Sequence, residues 1–278
     1  MKIRFAAALA ALSLTGLGLV AGPAQAATPG VSNEAEFLAA AEDANADPSI
    51  TEIVFAPNAV IELTDEVRYT GVQDLTLVGR GATLSGATVT ADTDTWDSGL
   101  FVSESGGDLT VQRLTFANSF NNGLAVFLPP GSGTVEIVLD QVTVTDAQFH
   151  GVLIDGQATT GYNTDDFIHP KCEDPYFVDS GTSIDITIDR SAITGAGQLD
   201  GYDISQATGC PQDFDGLRVD QGGPGDLVAD LDRSTFDGNL ADGVELDEKG
   251  DGSVDATVDR STFNDNGDTV AIKCTVQD

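Results

Sequence analysis

Basic residues are scarce in this chain. Twelve Lys and Arg face 45 Asp and Glu across 278 residues, a formal net charge of −33 at pH 7. Long-range repulsion at that charge argues against nucleic acid and anionic membrane surfaces as partners. The acids are scattered, with Asp dominant, so the charge reads as solvation in a salty habitat, colloidal solubility or divalent-cation binding. There are only three cysteines, Cys172, Cys210 and Cys274. Their spacing fits no zinc pattern. In an oxidising compartment they allow one disulfide, expected between Cys172 and Cys210 because both fall in loop-like stretches, with one thiol left over. Beyond the N-terminus no apolar run is long enough to span a bilayer, so no membrane insertion is expected.

The N-terminus is itself apolar and reads as a secretory leader over residues 1–26. Lys2 and Arg4 precede the run Phe5 to Ala21, and Ala24-Gln25-Ala26 is a small-x-small site with cleavage expected before Ala27. No Cys adjoins that site, which argues against a lipoprotein. The expected address is secreted or periplasmic, and residues 27–278 are expected to form one domain.

A helix is predicted over about 33–45. Asn33 and Glu36 have capping-box spacing, Phe37, Leu38 and Ala41 form an apolar stripe, and Pro48 ends it. Short strand-like runs follow at Glu52–Phe55, Val60–Leu63 and Leu75–Val78. From there the chain repeats itself. Phe116, Val144, Ile193, Phe236 and Phe263 recur at one phase, and Val152, Leu217, Val244 and Val270 at another. Phe236 to Phe263 is a step of 27 residues and Gly123 to Gly151 one of 28. One such unit cannot bury its own apolar face, whereas stacked units can, their strands ~4.8 Å apart along the stack. The predicted fold is therefore all-β, a right-handed parallel β-helix whose N-terminal α-helix plugs the open end. A β-sandwich is the competing fold. It predicts antiparallel hairpins and has no reason to return the same side chain every 27 residues.

The capping helix, Ile53-Val54-Phe55-Ala56-Pro57, the run Leu75 to Leu84 and the repeats resemble the pectate-lyase-like superfamily over nearly the whole of residues 27–278. That resemblance implies the β-helix and a range of roles: polysaccharide lyases, glycoside hydrolases, epimerases, adhesins and passive stalks. Fold does not choose among them.

Two segments break the period, at about 157–182 and 199–215. They hold Tyr162, His169, Tyr176 and Tyr202, which are candidate ligand-binding residues, as loops on a rigid scaffold often carry binding groups. Alternation along the glycine-led strands sends Arg218, Asp220, Glu245, Asp247 and Lys273 outward. Stacking then pairs Arg218 with Glu245, Asp220 with Asp247, and Asp247 with Lys273. Two readings follow. In one, these are solvated surface pairs worth ~0–1 kcal/mol each. In the other, neighbouring carboxylates call for a cation, and Ca2+ suits their oxygens. The resemblance implies Arg218 as a catalytic base and Asp220, Glu245 and Asp247 as the calcium shell. For a hydrolase, Asp165 and Asp166 are the candidate carboxylates. The sequence Asn163-Thr164-Asp165 is similar to the Asn-Thr-Asp motif of polygalacturonases, although the motif's other parts are incomplete here. His150 reads as an ordinary residue of the repeat. The triplets Asp189-Arg190-Ser191, Asp232-Arg233-Ser234 and Asp259-Arg260-Ser261 recur at one phase and read as a structural ladder. The leading expectation is a binding module for a polysaccharide or cell-surface glycan. A polysaccharide lyase or glycoside hydrolase, and a passive structural protein, are the alternatives.

Overall fold

The computed structural model describes residues 30–86, 98–156, 181–197, 214–267 and 272–276, apart from the side chains of Lys249, Lys273, Thr275 and Val276. The predicted leader and the residues Tyr162, Asp165, Asp166, His169, Cys172, Tyr176, Tyr202 and Cys210 lie outside the described residues. Cys274 is a free, exposed thiol.

The helix, α1, spans Glu34–Ala46. Asn33 caps it, its side-chain oxygen accepting from the Glu36 N–H at 3.1 Å. The returning half of the box goes one residue further out, since the Glu36 carboxylate accepts from the Ser32 N–H and hydroxyl. Those donors pull the Glu36 pKa below its ordinary value. Phe37, Ala41 and Ala44 are buried. Phe37 packs edge-on to Phe55 and stacks with Phe101, so the helix covers one end of the core. Among the described residues, no helix is long and apolar enough to cross a membrane.

The described strands are β1 (Glu52–Val54), β2 (Val60–Glu62), β3 (Val67–Tyr69), β4 (Leu75–Ser85), β5 (Gly99–Ser103), β6 (Leu109–Ala117), β7 (Asn122–Phe127), β8 (Thr134–Asp140), β9 (Thr143–Thr145), β10 (Val152–Asp155), β11 (Ser183–Asp189), β12 (Ala192–Thr194), β13 (Leu217–Gly222), β14 (Leu227–Asp232), β15 (Val244–Lys249), β16 (Val254–Asp259) and β17 (Ile272–Val276). They form two sheets. One has ten strands along the path β1-β4-β6-β8-β11-β14-β16, with β2, β9 and β12 beside it. The other has seven, in the order β3-β5-β7-β10-β13-β15-β17. Every pairing among the described strands is parallel, and none is the hairpin that a sandwich requires.

Register follows the repeat. Phe116 pairs with Val144 and Val144 with Ile193. The rings of Phe236 and Phe263 stack at 5.1 Å with 9° between their planes. One interior cluster runs from Val31 to Leu246. The last strand departs from the expected register. Val244 pairs with Ile272 rather than Val270, which puts Lys273 beside Glu245 and Thr275 beside Asp247. The expected Asp247–Lys273 neighbours are therefore not neighbours. A two-residue slip keeps every side chain on its face, so alternation cannot detect it.

The recurring triplets are structural. Arg113, Gln141, Arg190, Arg233 and Arg260 occupy one corner with φ between 49° and 57°, in the left-handed region. Beyond that corner a serine ladder takes over, buried at Ser191 and Ser234: Ser191 Oγ accepts from the Val142 N–H, Ser234 Oγ from the Ser191 N–H and Ser261 Oγ from the Ser234 N–H. The arginines lie outside, with Arg233 Nη2 at 2.8 Å from Asp189 and Arg260 Nη2 at 2.9 Å from Asp232. Exposed pairs contribute little, whereas a buried hydroxyl that bridges repeats leaves its donors stranded when removed. In urea denaturation, Ser234→Ala is expected to cost about 1–3 kcal/mol and Arg233→Ala less than about 1 kcal/mol. The reverse order would contradict this assignment.

Candidate functional site

The outer faces of the two sheets differ. On the ten-stranded sheet outward residues meet solvent; Val228 of β14 is 39 % exposed. On the seven-stranded sheet the outward column runs Val102, Ala125, Leu153, Arg218 and Glu245. Val102, Ala125, Leu153 and Glu245 are all buried. A second outward column, Asp155, Asp220 and Asp247, is nearly as withdrawn, Asp155 and Asp247 each being 5 % exposed. Three segments attach to this sheet in sequence: residues 87–97 lead into β5, residues 157–180 follow β10, and residues 198–213 lead into β13.

Arg218 is the centre of the charged part. Its Nε and Nη2 form a fork on the Asp220 carboxylate at 3.1 and 3.0 Å. Nη2 also donates to Asp247 at 3.0 Å. Nη1 lies 2.8 Å from Glu245 and 3.6 Å from Asp215. The expected neighbours Arg218–Glu245 and Asp220–Asp247 are thus present, but the surface reading of them is corrected. This is a buried four-carboxylate clamp on one guanidinium, not a solvated ladder. Burial alone favours the neutral guanidine; Asp220, Glu245 and Asp215 outweigh it and hold the Arg218 pKa well above its ordinary value. That environment makes Arg218 a fixed cation and works against release of its proton.

A corner column missed by the sequence reading completes the site. The residue before each strand-leading glycine stacks on its equivalent in the next repeat: Asn122, His150, Asp215, Asp242. The His150 N–H donates to Asn122 Oδ1, the Asp215 N–H to His150 Nδ1 at 3.1 Å, and the Asp242 N–H to Asp215 Oδ1 at 2.9 Å. All four residues are buried. Because His150 Nδ1 accepts a backbone N–H, the proton of the neutral imidazole belongs on Nε2, and the 3.7 Å approach of Nδ1 to Asp215 Oδ2 is not a charged bond. Phe214 lies edge-on to both Phe149 and the His150 ring. The signal for this column was the residue preceding Gly123, Gly151, Gly216 and Gly243, polar each time at one phase.

Asp215, Asp242 and Glu245 bring ligand oxygens within 4.8 Å of one another, all buried, and this triad can hold a metal ion. It overlaps the set named from the sequence only at Glu245. Asp220 and Asp247 lie on the other edge of Arg218, bonded to it. The donors are hard carboxylate oxygens on a rigid parallel ladder, a set that fits a hard divalent cation and not a soft one.

The site therefore combines a fixed cation, a carboxylate triad suited to a metal, an imidazole and further carboxylates on one withdrawn face. No family model matches the chain, and neither a curated protein nor a solved structure matches it.

Proposed function

We propose that the chain is an exported, right-handed parallel β-helix of the pectate-lyase-like kind that binds an extracellular or cell-surface glycan on the outer face of its seven-stranded sheet. The observation that carries this reading is the burial of Arg218 among Asp215, Asp220, Glu245 and Asp247. Desolvating that many charges is expensive, and a scaffold can use exposed pairs instead, as this one does at Arg190, Arg233 and Arg260. The segments expected to bear Tyr162, His169, Tyr176 and Tyr202 each adjoin in sequence a strand of the seven-stranded sheet, β10 or β13. In this reading Asp215, Asp242 and Glu245 bind Ca2+, and the ion and Arg218 together present positive charge to sugar hydroxyls or carboxylates.

Cleavage of the glycan is the second reading, and the placement of the buried His150 ring beside the carboxylate cluster favours it. An imidazole beside buried carboxylates can hold and pass a proton, while Arg218 stays charged. One experiment separates the readings. Neutral and uronate polysaccharides are titrated into the full chain with Ca2+ and with chelator, and the mixtures are assayed for new reducing ends and for the ultraviolet absorbance of unsaturated uronate. Calcium-dependent binding without products supports the module, and products support the enzyme. No binding to any glycan in either condition sinks both.

A further inference from the structure

Strands β13 and β15 end in the same kind of corner, one repeat apart. Gln221 and Glu248 are register partners, and both are fully buried. Gly225 and Gly252 occupy the matching turn positions behind them. A Cβ on Gly225 would lie 2.2 Å from the Thr182 carbonyl oxygen and 2.4 Å from Gln221 Nε2. One on Gly252 would lie 1.9 Å from the Gly225 carbonyl oxygen and 3.0 Å from Glu248 Cδ. The two side chains thus fill equivalent niches, each facing a carbonyl of the preceding repeat.

They differ in hydrogen. Gln221 Nε2 donates to the carbonyls of Thr182 and Gly222 at 2.8 and 3.0 Å. An ionised Glu248 has nothing to donate, and its two oxygens are buried without a hydrogen bond of ordinary geometry. A protonated carboxyl gains one O–H, which is what the niche requires. We propose that Glu248 is a proton-operated latch on the last repeat: as a neutral acid it donates to the Gly225 carbonyl as Gln221 does to Thr182, and as a carboxylate it opposes that carbonyl instead.

The surroundings agree. Burial pushes Glu248 up, the Gly252 N–H pulls it down and the Asp226 carboxylate pushes it up, leaving it at about 7. Asp226, from the turn before β14, is the charged group acting on it. Gln221 from β13 and Gly252 from the following turn are uncharged, and β17 places Val276 beside it in register. Its chain neighbour Asp247 is bonded to Arg218 on the outer face. An acid raised in the folded state stabilises while neutral. The gain is full below the ordinary carboxyl range and is lost as pH rises through about 7. The latch then holds β15 to its neighbours in acid and slackens in alkali.

The test is thermal unfolding of the full chain and of Glu248→Gln from about pH 4 to about pH 9, because the difference between them cancels all other titrations. The two midpoints are expected to converge at the acid end, to separate as pH rises from the ordinary carboxyl range to about 7 and to keep a constant gap above it, with the variant several degrees higher. A gap independent of pH overturns the latch. If Glu248→Gln does not fold, carboxyl-carbon NMR of the unaltered chain decides. A Glu248 resonance titrating near 7 supports the latch, and one titrating in the ordinary carboxyl range overturns it.

Discussion

Replacing Arg218 with Met is expected to cost about 3–5 kcal/mol of folding stability and to abolish the proposed glycan binding. Arg218 is the cation shared by Asp215, Asp220, Glu245 and Asp247. Without it these buried carboxylates face one another in a poorly solvated place, so each holds a proton more tightly than before. Acids raised in the folded state favour folding only while protonated. The variant should therefore regain stability as pH falls towards the ordinary carboxyl range, by more than the gain that Glu248 gives the unaltered chain. Arg218→Lys should recover part of the loss, since an ammonium supplies the charge but not the fork on Asp220. Urea denaturation across pH reads all three outcomes. A cost below about 1 kcal/mol would return the cluster to the status of a solvated ladder.

Phe236→Ala is the second large effect, expected at about 3–5 kcal/mol. Phe236 is fully buried, with Ile193 in the equivalent position of the preceding repeat and Phe263 stacked on it in the next. Phe263 lies in the last described repeat and is only half-buried, so Phe263→Ala should cost clearly less. The ordering follows from stacking. Deleting an interior ring leaves a cavity walled on both sides, while deleting the end ring opens a surface that solvent can fill. Equal costs in chemical denaturation would mean that the two rings do not share one axial column.

These outcomes also mark how far the sequence could be read. The interior was legible because equivalent apolar residues return at a fixed phase; Phe236 and Phe263 identify each other without any structure. The Asp-Arg-Ser corner was legible for the same reason, and so was the pairing of Arg218 with Glu245. Alternation names the face on which a side chain lies but not whether that face is covered. Arg218 and Arg233 therefore looked alike as outward arginines, although one is clamped and the other is 44 % exposed. The corner column escaped because its members, Asn122, His150, Asp215 and Asp242, differ in type. Only a hydrogen-bonding role repeats, Asn122, His150 and Asp215 each accepting the N–H of the next member. The register of β17 escaped because a slip of two residues leaves inward and outward positions unchanged.

Calcium added to the full chain, with the unfolding temperature as readout, tests the site most directly. A ligand that binds only the folded state raises that temperature as its concentration passes the dissociation constant. The prediction is a saturating rise in the unaltered chain that is absent from an Asp215→Asn, Asp242→Asn, Glu245→Gln variant. An identical response from both proteins would contradict a cation site at the Arg218 cluster.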